Sequence, residues 1–132
     1  MTERLTRSKK RIKEIGEVFT PSALVKKKYD SLPPCLFTDP SKTFIDPACG
    51  SGNLLVEVLK RKIESGSTPL QALQTVYGVD IMEDNIEECR IRLFKIAVEL
   101  NSGKWERSWK KPLLNNIVCA NALEVDLETL FD

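Results

Sequence analysis

The sequence contains no histidine, and its four cysteines, Cys35, Cys49, Cys89 and Cys119, stand far apart with no CxxC spacing. Together these absences leave no zinc-ligand pattern, and no metal site is expected. Long apolar runs are missing too: no stretch approaches the roughly 20 residues of a membrane-spanning helix, and Met1 to Lys13 is too heavily charged for an export signal. No membrane partner is expected, and the thiols read as reduced, cytoplasmic ones. Internal repeats and low-complexity tracts are absent. The net charge is only +1, so no global basic field points to nucleic acid.

With 42% hydrophobic residues over a length of 132, the chain has enough apolar material for one domain with its own core. The charge is unevenly placed. Residues 1–28 hold nine Lys/Arg against three acids, and the remainder holds 11 basic and 16 acidic residues. The basic N-terminal stretch reads either as a face for a phosphate backbone or as a solvated helix face.

Periodicity gives alternating helix and strand. Thr20-Pro21 reads as an N-cap with proline at the first helical position, opening a helix through Tyr29. Turn chemistry fills Ser31 to Lys42, and Thr43 to Asp46 is a first strand. Leu54 to Ser65 is a helix with Leu55, Val58, Leu59 and Ile63 near one face and Gly66 at its C′ position. Thr68-Pro69 starts a short helical turn, and Thr75 to Asp80 is a second strand. The clearest helix follows, with Ile86, Cys89, Leu93, Ile96, Ala97 and Leu100 at helical spacing and Asp84 with Glu87 suited to a capping box. Asn101 to Lys111 reads as a polar connection carrying Trp105 and Trp109. Ile117 to Ala120 is a third strand, and Asp126 to Phe131 begins a last turn.

Asp46-Pro47-Ala48-Cys49-Gly50-Ser51-Gly52-Asn53 turns the first strand directly into a glycine-rich loop and then a helix. Two glycines one residue apart let the backbone approach a ligand without a Cβ in the way, and the helix N-terminus offers unpaired N–H groups. Strand, helix, strand, helix, strand with a ligand loop after the first strand is half of a doubly wound α/β sheet. Right-handed crossovers give the order 3-2-1, with the ligand at the carboxyl ends. The first strand then presents an open edge, so a homodimer, cover by the N-terminal segment, or a partner chain is expected there.

At the glycine loop the chain resembles the S-adenosylmethionine (SAM)-dependent DNA adenine-N6 methyltransferases of restriction-modification systems. Asp-Pro-Ala-Cys-Gly-Ser-Gly is their first cofactor motif, matched here letter for letter. Gly16-Glu17-Val18-Phe19-Thr20-Pro21 is similar to the motif that, in one subgroup, precedes that loop and closes over the methionine end of SAM. Tyr77-Gly78-Val79-Asp80-Ile81 is similar to the second strand with its ribose-binding acid, and Asn116 to Leu123 to the third. The resemblance implies a partial Rossmann-like methyltransferase fold, with residues 1–42 a basic helical segment and 43–132 the SAM-binding half. It also implies that the complete enzyme acts on DNA by direct methyl transfer to a flipped adenine.

Cofactor contacts are implied for Phe19, Thr20 and Pro21, for Asp46, Pro47, Ala48, Cys49, Gly50, Gly52 and Asn53, for Asp80 and Ile81, and for Asn121 and Ala122. Asp46 would face the methionine amino group, Thr20 the carboxylate, Asp80 the ribose hydroxyls, Ile81 the adenine face and Asn121 the adenine edge. Plainer structural readings stand beside these: Asp46 capping its own turn, Thr20 an N-cap, Phe19 and Ile81 core residues, Asp80 an Asx turn, and Asn121 a strand-end turn. On the ribose reading, Asp80→Ala abolishes SAM binding and leaves the fold intact.

The family's catalytic tetrapeptide, Asn/Asp/Ser-Pro-Pro-Tyr/Phe, is absent, its place in the family order falling beyond Asp132. Pro33-Pro34 lies before the glycine loop and reads as a turn, so no catalytic residue is assigned. The alternative function is a stand-alone, inactive SAM-binding module, a mobile-element remnant or regulator. A nicotinamide enzyme is disfavoured because Leu55 stands where the dinucleotide fingerprint wants its last glycine. Trp105 and Trp109, interleaved with Lys104, Arg107, Lys110 and Lys111, either cover an apolar edge or grip a nucleic-acid strand.

Overall fold

The computed structural model describes residues 29–131. Three parallel strands, β1 (Phe44–Asp46), β2 (Val76–Asp80) and β3 (Ile117–Cys119), form a sheet in the order β1-β2-β3. Around them lie helices α1 (Cys35–Thr38), α2 (Asn53–Glu64), α3 (Pro69–Gln74), α4 (Glu83–Glu99), α5 (Lys110–Asn116) and α6 (Leu127–Leu130), with a 3-10 turn at Arg107–Trp109. This is the expected α/β half of a Rossmann-like sheet, the order 3-2-1 read from its other edge. The helix expected over Thr20 to Tyr29 lies, but for Tyr29, outside the described residues.

Register places Asp46 beside Gly78 and Asp80 beside Cys119, so the strand ends carrying the two acids sit together. Along β2, side chains alternate between the faces. Gly78 points at α2: a Cβ there would lie 2.6 Å from Leu55 Cδ1 and 3.0 Å from Cys49 Sγ, so only glycine lets the helix and the loop close onto the strand. On the other face Ile45 is 48% exposed, and the Tyr77 ring meets Phe131 edge-on at 4.9 Å. Among the described residues β1 pairs with β2 alone, so its outer edge is open there.

The core is built by Leu55, Val58 and Leu59 of α2, Ile86, Cys89, Leu93 and Ala97 of α4, and Val76 and Ile117 of the sheet. Ile63 packs partly buried against the core as expected, and Lys62, one heptad beyond Leu55, joins the fully buried stripe of α2. Its Nζ donates to Lys42 O and lies 5.5 Å from the centroid of the Phe44 ring, and burial lowers its pKa. Helix α2 ends as expected at Gly66 (φ 117): Gly66 N–H donates to Ile63 O and Ser67 N–H to Lys62 O, the two bonds of a Schellman motif. Thr68 and Gln71 form a capping box at α3.

Three expectations need correction. The capping box at Asp84 and Glu87 is not formed, because α4 begins after Met82 with no side-chain cap and Asp84 Oδ1 instead accepts from Asn85 N–H at 2.9 Å. Within Ser31 to Lys42 a short helix, α1, buries Phe37, which stacks on Phe44 at 5.4 Å. The connection before β3 folds as α5, whose C-terminal carbonyls of Leu113 and Leu114 accept from the Arg90 guanidinium at 3.1 and 3.2 Å.

Candidate functional site

Asp80 ends β2 and ties together everything that meets at that corner. Its backbone carbonyl accepts from Ala120 N–H at 3.0 Å, holding the exit of β3. Its Oδ1 accepts from Gly50 N–H at 3.1 Å, and its Oδ2 from Met82 N–H and Asn85 Nδ2, both at 3.0 Å. Asp80 as a whole is 8% exposed. Three of its roughly four acceptor positions are therefore used within the protein. The bond to Met82 is the Asx turn read from the sequence, and the bonds to Gly50 and Asn85 reach beyond it. This revises the expectation that Asp80→Ala leaves the fold intact, since alanine strands two backbone donors and takes a hydrogen bond from the buried Asn85 amide.

The glycine loop runs from the end of β1 to the start of α2. Ala48 N–H donates to Asp46 Oδ1 at 3.1 Å, so Asp46 does cap its own turn. Cys49 N–H donates to Val79 O at 2.9 Å, extending the parallel ladder one step past β1, and Gly52 N–H closes back on Cys49 O at 2.9 Å. Gly50 (φ 55) and Gly52 (φ 96) both take the left-handed conformation. A Cβ on Gly52 would come within 2.6 Å of Cys89 Sγ. Gly52 is also the N-cap of the 12-residue α2, with no side chain capping it, so the first N–H groups of that helix are not taken up by a capping side chain. Pro47 and Ala48 are exposed on the turn.

Cys49 and Cys89 are both buried and free. Contact with the Cys89 thiol, reinforced by burial, pushes the Cys49 thiol well above the usual range, so it serves as packing here rather than as a nucleophile. Arg92 of α4 reaches the loop beyond the point that Asp80 holds, its Nη1 donating to Ser51 O at 3.0 Å and to Asn53 Oδ1 at 2.7 Å.

At the exit of β3, Asn121 forms the strand-end turn: its Oδ1 accepts from Leu123 N–H at 3.0 Å and its carbonyl from Glu124 N–H at 2.9 Å. Ala122 is half-buried, and Leu123 is almost fully exposed. Ile81 is 53% exposed, so the reading of it as buried core is corrected. Asp46, Cys49, Gly50, Gly52, Asn53 and Asp80 thus come together at the carboxyl ends of β1 and β2, with Ile81 directly after β2 and Asn121 and Ala122 after β3. Phe19, Thr20 and Pro21 lie outside the described residues. Sequence reasoning missed Asn85 and Arg92; both are polar residues of α4 whose partners lie outside their own helix.

The two tryptophans divide. Trp109 is buried against Phe94, their rings 6.1 Å apart and edge-on, as the apolar-cover reading has it. Trp105 is 63% exposed and flanks an 820 Å³ groove between α4 and α5 whose lining includes Ile91, Phe94 and Leu114, with Lys95 and Lys110 beside them.

Among the described residues no helix is long and apolar enough to cross a membrane. The N-6 DNA Methylase family matches residues 4–122 of the chain. A Type II methyltransferase, M.VspI of Vibrio sp. (strain 343), is 40% identical over 83 residues, which are 62% of this chain and 17% of that protein. The chain thus spans a small part of the length of that curated relative. No solved structure matches.

Proposed function

We propose, for a chain that belongs to the N-6 DNA methylase family, that the corner made by the Ala48–Asn53 loop and Asp80 binds S-adenosyl-L-methionine. The observation that carries this reading is the loop itself, two left-handed glycines, the first held by the Asp80 carboxylate, in front of a helix N-terminus that no side chain caps. The remaining acceptor position of Asp80 suits one ribose hydroxyl, and the Asp46 carboxylate suits the methionine ammonium. Gly50 and Gly52 keep the approach clear of Cβ atoms, and Pro47, Ala48, Cys49 and Asn53 form the walls. Ile81 offers an apolar face to adenine, and Asn121 and Ala122 its edge; Phe19, Thr20 and Pro21 would close over the methionine end. When bound, SAM supplies an activated methyl group, which these residues bind and orient.

The complete protein would transfer that methyl to the amino nitrogen of an adenine in DNA, in the cytoplasm, within a restriction-modification system. This chain would need the catalytic Asn/Asp-Pro-Pro-Tyr/Phe half to do so, and a second copy or a partner chain would cover the open edge of β1. Isothermal titration of SAM and of its demethylated product into the chain tests the cradle. Dissociation constants within roughly 1 µM to 1 mM support it. Heatless titrations at millimolar ligand, with no shift in melting temperature, reject it.

A further inference from the structure

We propose that Arg92 is a positioning residue that holds the Ser51–Asn53 segment of the glycine loop in its cofactor-binding shape; this rests on the reading of that loop as the SAM cradle. Arg92 lies midway along α4, and its Nη1 donates to Ser51 O at 3.0 Å, to Ser51 Oγ at 3.3 Å and to Asn53 Oδ1 at 2.7 Å. These contacts bracket Gly52, the left-handed residue at which the loop turns into α2. Ser51 is 1% exposed, so water cannot replace the guanidinium as the partner of its two oxygens.

An arginine on an outer helix ordinarily carries its head group to solvent. Here the head is half-buried against uncharged loop oxygens, and no carboxylate among the described residues lies within ion-pair distance of it. Burial accordingly lowers its pKa below the usual arginine value. A desolvated cation with no acidic partner among the described residues is costly to keep, and what it gains is the geometry of the loop. Cys89, one turn earlier on the same face of α4, acts alongside it. Its sulfur fills the space beneath Gly52, so α4 shapes the hinge by volume at Cys89 and by hydrogen bonds at Arg92. Asp80 holds the other end of the loop at Gly50, independently of Arg92.

That division sets the experiment, made on the 132-residue chain and its Arg92→Met and Arg92→Lys variants by amide hydrogen exchange and SAM calorimetry. In Arg92→Met, exchange at the Gly52 amide should rise about tenfold or more, with Val79 in β2 unchanged, and SAM affinity should fall about tenfold or more, the scale of hydrogen bonds to a charged group. Arg92→Lys keeps the charge but not the planar head and should lie between parent and Arg92→Met on both readouts. It carries the test alone if Arg92→Met fails to fold. Parent-like Gly52 exchange, or parent-like SAM affinity, in the variants overturns the proposal. If the parent itself binds no SAM, the cradle reading falls, and Gly52 exchange alone decides whether Arg92 holds the loop.

Discussion

At the carboxyl ends of β1 and β2 the loop is held from two sides, by a carboxylate 30 residues ahead in the chain and by a guanidinium about 40 residues ahead. At the end of β3, Asn121 bonds within its own turn, two and three residues away. The first corner is made by tertiary structure and the second by local backbone. A change in the first corner should therefore be felt as lost stability and lost binding together. A change in the second should be felt, if at all, only as binding.

The sharpest way to break this contrast is Asp80→Ala, which should give the largest effect. It orphans the N–H groups of Gly50 and Met82, each worth about 1–3 kcal/mol when left unsatisfied, and removes one hydrogen bond from the Asn85 amide. A large drop in melting temperature with no measurable SAM binding is expected; a parent-like melt would show that the corner is not held as described. Next comes Gly52→Ala, where a left-handed φ and a Cβ 2.6 Å from Cys89 Sγ should cost about 1–3 kcal/mol in urea denaturation. Adding Cys89→Ala should return part of that loss, since the two residues share one space. Last is Asn121→Ala, expected within about 0.5 kcal/mol of the parent in stability, as for a surface turn, with a several-fold weaker SAM constant. If Asn121→Ala destabilised the chain as much as Asp80→Ala, the distinction between the two corners would collapse.

What was legible in the sequence follows the same divide. The three strands announce themselves as short apolar runs closed by Asp46, Asp80 and Asn121, and the turn into α2 by its two glycines. Gly66 and Thr68-Pro69 mark the helix stops and starts through local backbone chemistry that works within four residues. Asn85 and Arg92 were not legible because helical periodicity reads polar residues on α4 as solvent-facing, and their partners Asp80 and Ser51 lie outside that period. Lys62 escaped for a related reason: an ammonium at a core position looks like a break in the stripe until Lys42 O and the Phe44 ring are brought beside it. Helix α5 was hidden by charged residues at its start, although Trp109, Pro112 and Leu113 all turn inward.

The placing of the four thiols gives the chain an internal clock. Cys35 and Cys119 stand at the surface, while Cys49, in the glycine loop, and Cys89, on α4 beneath it, are buried, and Cys49 gives up its proton only with difficulty. An alkylating reagent will therefore mark two positions on the folded protein promptly and reach the other two only when the loop lifts away from α4. The delay between the first pair of mass increments and the second times those openings directly.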